Sequence, residues 1–159
     1  MITCAFENGS KTTTLRHVSI DSIALKDGNI VLVKRAKELA EGGKWALPGG
    51  YLSHDESLSD AAVREFTEET GWSATAINCF CVSCSPKREN DPKNWQNINF
   101  TFILDVQEKV GVPDWESTGI AFFPLDQCPT AADLAFDHAA IIDLYRHTDR
   151  STHLPIMRW

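Results

Sequence analysis

The segment from Ser57 to Gly71 most constrains how this chain can fold, because its helical pattern places acidic residues on the apolar side. The apolar residues repeat with helical spacing at Leu58, Ala61, Ala62 and Phe66. Ser57 predicts an N-cap and Gly71 a C-terminal stop. On a helical wheel, Glu65 and Glu69 fall within the apolar stripe and Glu68 lies at its edge. The sequence therefore predicts a helix over 57–69 whose carboxylates face the protein.

Such carboxylates repel one another and lose hydration, so they are best tolerated beside cations. Hard oxygen ligands suit Mg²⁺ or Mn²⁺, and the spacing lets Glu65, Glu68 and Glu69 converge on a shared metal site. Arg64 can hold the carboxylate of Glu68 in a fixed orientation, and Glu56 is a further candidate to pair with Arg64. The alternative is a solvated acidic helix with ion pairs along its surface. The wheel and the arginine favour the metal site.

The remaining chain alternates strand-like and helical segments. Strands are predicted over 18–25, 30–34, 75–83, 98–106 and 120–123, and a second helix over 131–146. The first two strands flank a turn and form a hairpin, whereas residues 48–50, Pro-Gly-Gly, are expected to break regular structure. This order predicts an α/β (α+β) fold with a mixed sheet, in one domain over 1–159.

Composition narrows the class of protein. The net charge of −7 argues against stable nucleic-acid binding and against binding to anionic membranes, although a small polyanionic substrate remains compatible with metal ions in an acidic site. The sequence has no apparent secretory signal and no apolar run long enough for a bilayer, so we expect no membrane association and a cytoplasmic location.

Two features look like binding sites but have a simpler interpretation. Cys81 and Cys84 have zinc-like spacing, yet they follow Cys79 in a strand-like apolar run, and the five cysteines are odd in number. We interpret them as buried structural thiols. His138 lies on an apolar helical face, which favours a satisfied core histidine over a catalyst.

The acidic segment resembles the Nudix box. Gly50 is followed after five residues by Glu56, and after seven more by the run REFTEETGW over 64–72. Every polar and glycine position of that signature is filled, while Phe66 and Trp72 occupy its two aliphatic positions. The preceding WALPGG over 45–50 is similar to the usual entry into the box. The resemblance implies an α/β/α sandwich with a loop–helix–loop catalytic segment, and hydrolysis of a nucleoside diphosphate linked to another group X.

The resemblance also assigns roles to residues. Glu65, Glu68 and Glu69 match metal-binding positions, and a carbonyl of Gly49 or Gly50 is a further expected ligand. Arg64 and Glu56 match an orienting pair. The implied catalytic residues are Glu56, Arg64, Glu65, Glu68 and Glu116.

The general base is the least determined of these roles. Many family members take it from a late loop, which here reads DWESTG over 114–119. Glu116 is the best candidate in that loop, because Gly119 stands where a glutamate is often found. Glu65 or Glu69 could also take part in removing the proton.

Three residues are candidates for substrate contact. Arg35 ends the second strand and could reach a phosphate, with a solvated strand-end charge as the alternative. Trp95 lies in a polar loop with Arg88 and two lysines, where it could stack on a base or anchor the loop. This loop, from Pro86 onward, resembles one in ADP-ribose-hydrolysing members.

Three functions remain open. The first is hydrolysis of ADP-ribose or a related nucleotide sugar, and the second is a MutT-like nucleoside triphosphate pyrophosphatase. The third is a nucleotide-sensing domain without catalysis, although no acidic position of the box is lost. The expected partner is a small nucleotide. A homodimer is compatible with the resemblance, but no sequence feature identifies an interface.

Overall fold

The computed structural model describes residues 2–5, 9, 12–86, 96–149 and 156–158. Its strands and helices, in chain order, are β1 (Ile2–Ala5), β2 (Thr12–Leu15), β3 (Val18–Lys26), β4 (Asn29–Arg35), β5 (Trp45–Ala46), β6 (Gly49–Tyr51), α1 (Leu58–Thr70), β7 (Trp72–Ser83), β8 (Ile98–Lys109), β9 (Ser117–Pro124), a 3₁₀ turn (Leu125–Gln127), α2 (His138–His147) and β10 (Ile156–Arg158).

Eight strands of the described residues form one mixed sheet, ordered β10-β7-β8-β3-β4-β5, with β6 also paired to β3 and β9 to β4. The pairs β3–β8 and β10–β7 are parallel, and the other pairs within this sheet are antiparallel. The two short strands β1 and β2 form a separate hairpin. The expected mixed sheet is confirmed.

The two faces of the sheet carry separate apolar cores, because side chains alternate along each strand. On β4, Ile30 and Leu32 pack in the core that contains α2, whereas Val31 packs in the core that contains α1. Phe66 of α1 and Tyr145 of α2 are fully buried in these cores. One helix therefore covers each face, which is the α/β/α sandwich that the sequence led us to expect.

The second helix is shorter than predicted. It begins at His138 rather than at residue 131. The preceding segment pairs with β5 instead: the amide of Trp45 donates to the carbonyl of Asp133, and the amide of Ala135 donates to the carbonyl of Trp45. These bonds use backbone groups that a helix would need, and Phe136 has a positive φ of 51°. A long-range pairing thus overrides local helical periodicity.

The strands also depart from their predicted bounds. β7, β8 and β9 are longer than predicted, since each is extended by pairing with a neighbour. Gly49 and Gly50 do not simply break regular structure but form β6, which pairs with Ile20 and Asp21 of β3. The glycine pair is thereby fixed against the centre of the sheet.

Two further expectations concern the cysteine thiols and the absence of membrane-spanning segments, and the structure is compared with them over the residues it describes. The five cysteines form no disulfide there; Cys81 is buried, and Cys79 and Cys84 are partly buried. No helix in the described ranges combines the length and the apolar character needed to cross a bilayer.

Candidate active site

The helix α1 is fixed at both ends by local hydrogen bonds. The hydroxyl of Ser57 accepts from the amide of Asp60 at 3.2 Å, as an N-cap does. Gly71 has a φ of 70°, and its amide donates to the carbonyl of Thr67 at 2.8 Å. A side chain at Gly71 would also collide with the backbone of Gly111. The two caps fix both ends of the helix that carries the acidic residues.

Arg64 contacts the carboxylates of Glu56, Glu65 and Glu68. Its Nε donates to Oε2 of Glu56 at 2.9 Å and its Nη2 donates to Oε1 at 2.8 Å, so the predicted pair is bidentate. Its Nη1 lies 2.9 Å from Oε1 of Glu65 and 3.0 Å from Oε2 of Glu68. The hydrogen bond from Arg64 lowers the pKa of Glu56 to about 2. Glu56 therefore stays ionised and holds the guanidinium in place.

Glu69 lies deepest of the three helix acids. It is 5% exposed, and its Oε2 accepts from the amide of Gly49 at 3.0 Å. Burial raises the pKa of Glu69 to about 8, and the negative charges of Glu65 and Asp114 act in the same direction. The amide of Gly49 and the charge of Arg35 oppose this rise only in part. A nearby cation would stabilise the ionised carboxylate.

Glu65 lies beside the glycine strand. Burial raises the pKa of its carboxyl group, Arg64 counteracts this, and the charges of Glu68 and Glu116 add to it. A β-carbon at residue 50 would overlap the carboxylate of Glu65, so a larger residue there would displace this carboxylate from its present position. The glycine pair of β6 thus approaches both Glu65 and Glu69.

The loop over 110–116 completes the acidic cluster. The amide of Asp114 donates to the carbonyl of Glu68 at 2.9 Å, and the carbonyl of Glu116 accepts from the amide of Ala36 at 2.8 Å. The loop is therefore tied both to α1 and to the end of β4. Trp115 is 67% exposed between these two acids.

Within the described residues, no three Asp, Glu, His or Cys side chains are already arranged closely enough to hold a metal ion. In this conformer Glu65 and Glu68 contact Arg64, and Glu69 contacts the amide of Gly49. Each of these contacts engages one carboxylate oxygen, and a carboxylate has a second oxygen that can face a cation. The donors are hard oxygens, and Glu69 is buried with a raised pKa. Their chemistry therefore fits a divalent cation such as Mg²⁺.

The predicted substrate residues have different outcomes. Arg35 lies near Glu69, but its Nε donates to the carbonyl of Ala40 at 2.8 Å and its guanidinium stacks 5.0 Å from the ring of Phe136. Trp95 and Arg88 lie outside the described residues. Trp115, to which the sequence assigned no role, is an exposed aromatic residue between Asp114 and Glu116.

Two buried polar residues near the site, His138 and Asp21, lie close together, and the sequence did not predict this proximity. His138, 2% exposed, accepts the amide of Leu47 at Nδ1, and its Nε2 lies 3.4 Å from Oδ2 of Asp21. The interpretation of His138 as a satisfied buried histidine agrees with these contacts. Asp21 left a signal in the sequence, because it is a lone acid in the apolar strand VSIDSIALK.

Comparisons with known proteins agree with this architecture. A family model described as the NUDIX domain matches residues 15–145. The ADP-ribose pyrophosphatase of Methanocaldococcus jannaschii is 40% identical over 131 residues, which cover 80% of this chain and 72% of that protein. A putative ADP-ribose pyrophosphatase of Bacillus subtilis is 22% identical over 147 residues, covering 91% of this chain and 69% of its own. A Nudix hydrolase structure from Nitrosomonas europaea superposes with a TM-score of 0.74 at 22% identity, covering 98% of this chain and 86% of that one.

The fold is an α/β/α sandwich that carries a group of acids on a loop–helix–loop. The chain belongs to the Nudix family, because the family model spans most of it and a relative shares 40% of its residues over four fifths of its length. The expected family, fold class and enzyme class are confirmed. Nudix hydrolases generally use divalent metals, in keeping with the chemistry of the acidic cluster.

Proposed function

We propose that this enzyme hydrolyses the diphosphate linkage of a nucleoside diphosphate derivative, with ADP-ribose or a related nucleotide sugar as the first candidate substrate. The products are a nucleoside monophosphate and the phosphorylated group X. The observation that carries the proposal is the grouping of Glu65, Glu68 and Glu69 beside the Arg64–Glu56 pair. The similarity to the pyrophosphatase of M. jannaschii supports the choice of ADP-ribose.

In this proposal Glu65, Glu68 and Glu69 hold Mg²⁺ or Mn²⁺, with a carbonyl of Gly49 or Gly50 as a further oxygen ligand. A bound divalent cation supplies charge neutralisation for the diphosphate and lowers the barrier to attack by water. The protein's own contribution is orientation. Arg64 restrains two of the acids, and the amide of Gly49 restrains Glu69.

Glu116 is proposed as the general base. Its charge acts on Glu65, so the two acidic groups are close, and its backbone is tied to Ala36. Water attacks one phosphorus atom, Glu116 accepts a proton from that water, and the bridging P–O bond breaks. The leaving phosphate departs with the bridging oxygen.

Arg35 and Trp115 are proposed to contact the substrate. Arg35 lies near Glu69 at the end of β4, and the guanidinium group has donors besides the Nε that Ala40 uses. Trp115 offers an exposed ring between two residues of the acidic cluster, and an aromatic ring stacks on the face of any base. The structural model describes neither Trp95 nor Arg88, so their substrate roles stay predictions.

A product assay tests the proposal. The purified protein is incubated with ADP-ribose, other nucleotide sugars and nucleoside triphosphates, each with Mg²⁺ or Mn²⁺, and the phosphorylated products are identified. We expect AMP and ribose phosphate from ADP-ribose. Release of pyrophosphate from a triphosphate alone would instead identify a MutT-like activity. Nucleotide binding without turnover of any compound would identify a sensing domain and overturn the proposed reaction.

Several broader expectations also stay proposals. They are one domain over 1–159, a cytoplasmic location and a homodimer. Size measurement of the purified chain by light scattering tests the homodimer, and limited proteolysis tests the single domain.

A further inference from the structure

The segment Leu47–Gly49 is tied to three different elements by three consecutive residues. The amide of Leu47 donates to Nδ1 of His138 on α2 at 2.9 Å. The carbonyl of Pro48 accepts from the amide of Ser22 on β3 at 2.8 Å. The amide of Gly49 then donates to Oε2 of Glu69 on α1 at 3.0 Å. The position of the amide that meets Glu69 therefore depends on the two bonds before it.

The contact to His138 continues a row of backbone bonds. The amide of Trp45 donates to the carbonyl of Asp133, and the amide of Ala135 donates to the carbonyl of Trp45. Two residues further along, the amide of Leu47 points to the same side, but α2 has begun at His138 and its backbone no longer runs alongside. The imidazole of His138 takes the place of the missing carbonyl.

Asp21 lies beside the other nitrogen of this imidazole. Because Nδ1 accepts from a backbone amide, the proton of the neutral ring is on Nε2. Nε2 lies 3.4 Å from Oδ2 of Asp21, and the two residues are buried, at 2% and 9% exposure. Asp21 is also the residue of β3 that pairs with Gly49. The Asp21–His138 pair is therefore adjacent to β6, the strand that contains Gly49 and Gly50.

We propose that Asp21 and His138 are positioning residues that hold Leu47–Gly49 in the register in which the amide of Gly49 meets Glu69. The function of this contact rests on the proposed role of Glu69 in holding a cation. In this proposal the pair serves neither as a cation ligand nor as a substrate contact. It acts through the backbone, as the outer hydrogen bonds around a metal site orient the ligands themselves.

Three variants and a matched control test the proposal. His138→Leu removes the acceptor and keeps an apolar side chain of similar bulk, whereas His138→Asn keeps an oxygen near the position of Nδ1. Asp21→Asn keeps the size of the side chain but replaces the carboxylate that faces Nε2 with a neutral amide, which weakens the interaction that favours a proton on Nε2. Ile142→Ala is the control for lost packing, because Ile142 is buried on the same helix and in the same apolar core as Leu47 but its side chain cannot form a hydrogen bond to the segment.

The first measurement is amide hydrogen exchange in the metal-free full chain. We expect His138→Leu and Asp21→Asn to speed exchange at both Leu47 and Gly49, His138→Asn to restore protection, and Ile142→Ala to leave both amides protected. Unchanged exchange at Gly49 in a folded His138→Leu protein would overturn the inference. So would equal deprotection in Ile142→Ala. If His138→Leu does not fold, Asp21→Asn decides the outcome.

The second measurement is the affinity for Mn²⁺, followed by the signal of free Mn²⁺ in electron paramagnetic resonance. We expect His138→Leu to weaken binding about tenfold, as loss of an outer hydrogen bond does at other metal sites, and His138→Asn to recover most of it. Wild-type affinity in His138→Leu would overturn the inference. If the wild-type protein hydrolyses no nucleotide while the exchange pattern appears as expected, the proposed function fails and the positioning role stands.

Discussion

Glu69 combines burial, a backbone hydrogen bond and three neighbouring charges in one side chain. It lies on the helix face that also carries Phe66, which is fully buried. Its raised pKa means that ionisation is costly until a cation is present. A residue with these properties stabilises the fold little and is better explained by binding.

Glu65→Gln and Glu69→Gln are the direct tests of this interpretation. We expect each to lower turnover on the order of a hundredfold or more, because an amide is a weak ligand for a hard cation. The fold should survive, since a neutral amide at residue 69 avoids the cost of burying a charge. Turnover and circular dichroism are compared with those of Glu108→Gln, the same substitution at an exposed glutamate on β8. Wild-type rates in both glutamine variants would refute the metal assignment.

Glu56 gives a prediction that depends on pH. Its pKa falls from 4.5 to about 2 in the folded protein through the hydrogen bond from Arg64. A lowered carboxyl pKa stabilises the fold above the unfolded value and loses that effect as pH falls through the folded value. The difference in unfolding free energy between wild type and Glu56→Gln should therefore be largest above pH 4.5 and shrink toward pH 2. Urea titrations at several pH values measure it, and a constant difference would contradict the ion pair.

At the scale of elements, the site depends on how closely β6 approaches α1. β6 pairs with β3, and α1 packs on the same face through Ala61, Ala62 and Phe66. The carboxylate of Glu65 occupies the space next to residue 50, so a β-carbon at residue 50 would push this carboxylate away from the strand. The strand therefore positions an acid as well as supplying backbone groups.

Gly50→Ala tests this close approach. The added methyl group overlaps the carboxylate of Glu65, so we expect Mn²⁺ affinity and turnover to fall by about tenfold or more. Gly111→Ala is the matched control, because a β-carbon at residue 111 meets open space. Equal losses in the two variants, or none at residue 50, would contradict the argument.

The loop over 110–116 provides the second element-scale prediction. If Trp115 stacks on the nucleobase of the substrate, Trp115→Ala should raise KM roughly tenfold, since a stacked nucleobase contributes about 1–3 kcal/mol of binding free energy. Trp115→Phe should keep most of the affinity, and kcat should change less than KM. Val112→Ala, at a residue 82% exposed in the same loop, is the control. A wild-type KM in Trp115→Ala would show that the nucleobase does not stack on Trp115.

At the scale of the whole molecule, the fold is held by parts that do not involve a cation. The two apolar cores lie on opposite faces of the sheet, and α1 has its own caps. A chelator should therefore abolish turnover without unfolding the protein. We expect EDTA to remove activity, Mg²⁺ or Mn²⁺ in excess to restore it, and circular dichroism to change little. Loss of structure with EDTA would mean that the cation is structural, and full activity in EDTA would exclude a metal-dependent reaction.

Much of the site was predictable because its information is local. The spacing of Glu65, Glu68 and Glu69, the caps at Ser57 and Gly71, and the pairing of Glu56 with Arg64 all lie within a short stretch of chain. Helical geometry converts such spacing into relative position without help from the rest of the fold. The family resemblance rests on the same stretch.

Other features depended on residues far apart in the chain. The start of α2 moved to His138 because residues 133 and 135 pair with Trp45, and the glycine pair became a strand because β3 pairs with it. The side chains of Asp21 and His138 come close together only when β3 and α2 pack in the folded protein. Periodicity describes how a segment folds on itself, so it contains no information about these partners. The sequence by itself determined the acidic helix and the spacing of its carboxylates. The tertiary structure decided which backbone and side-chain groups hold that helix's carboxylates in place, because those groups converge only through long-range pairing and packing.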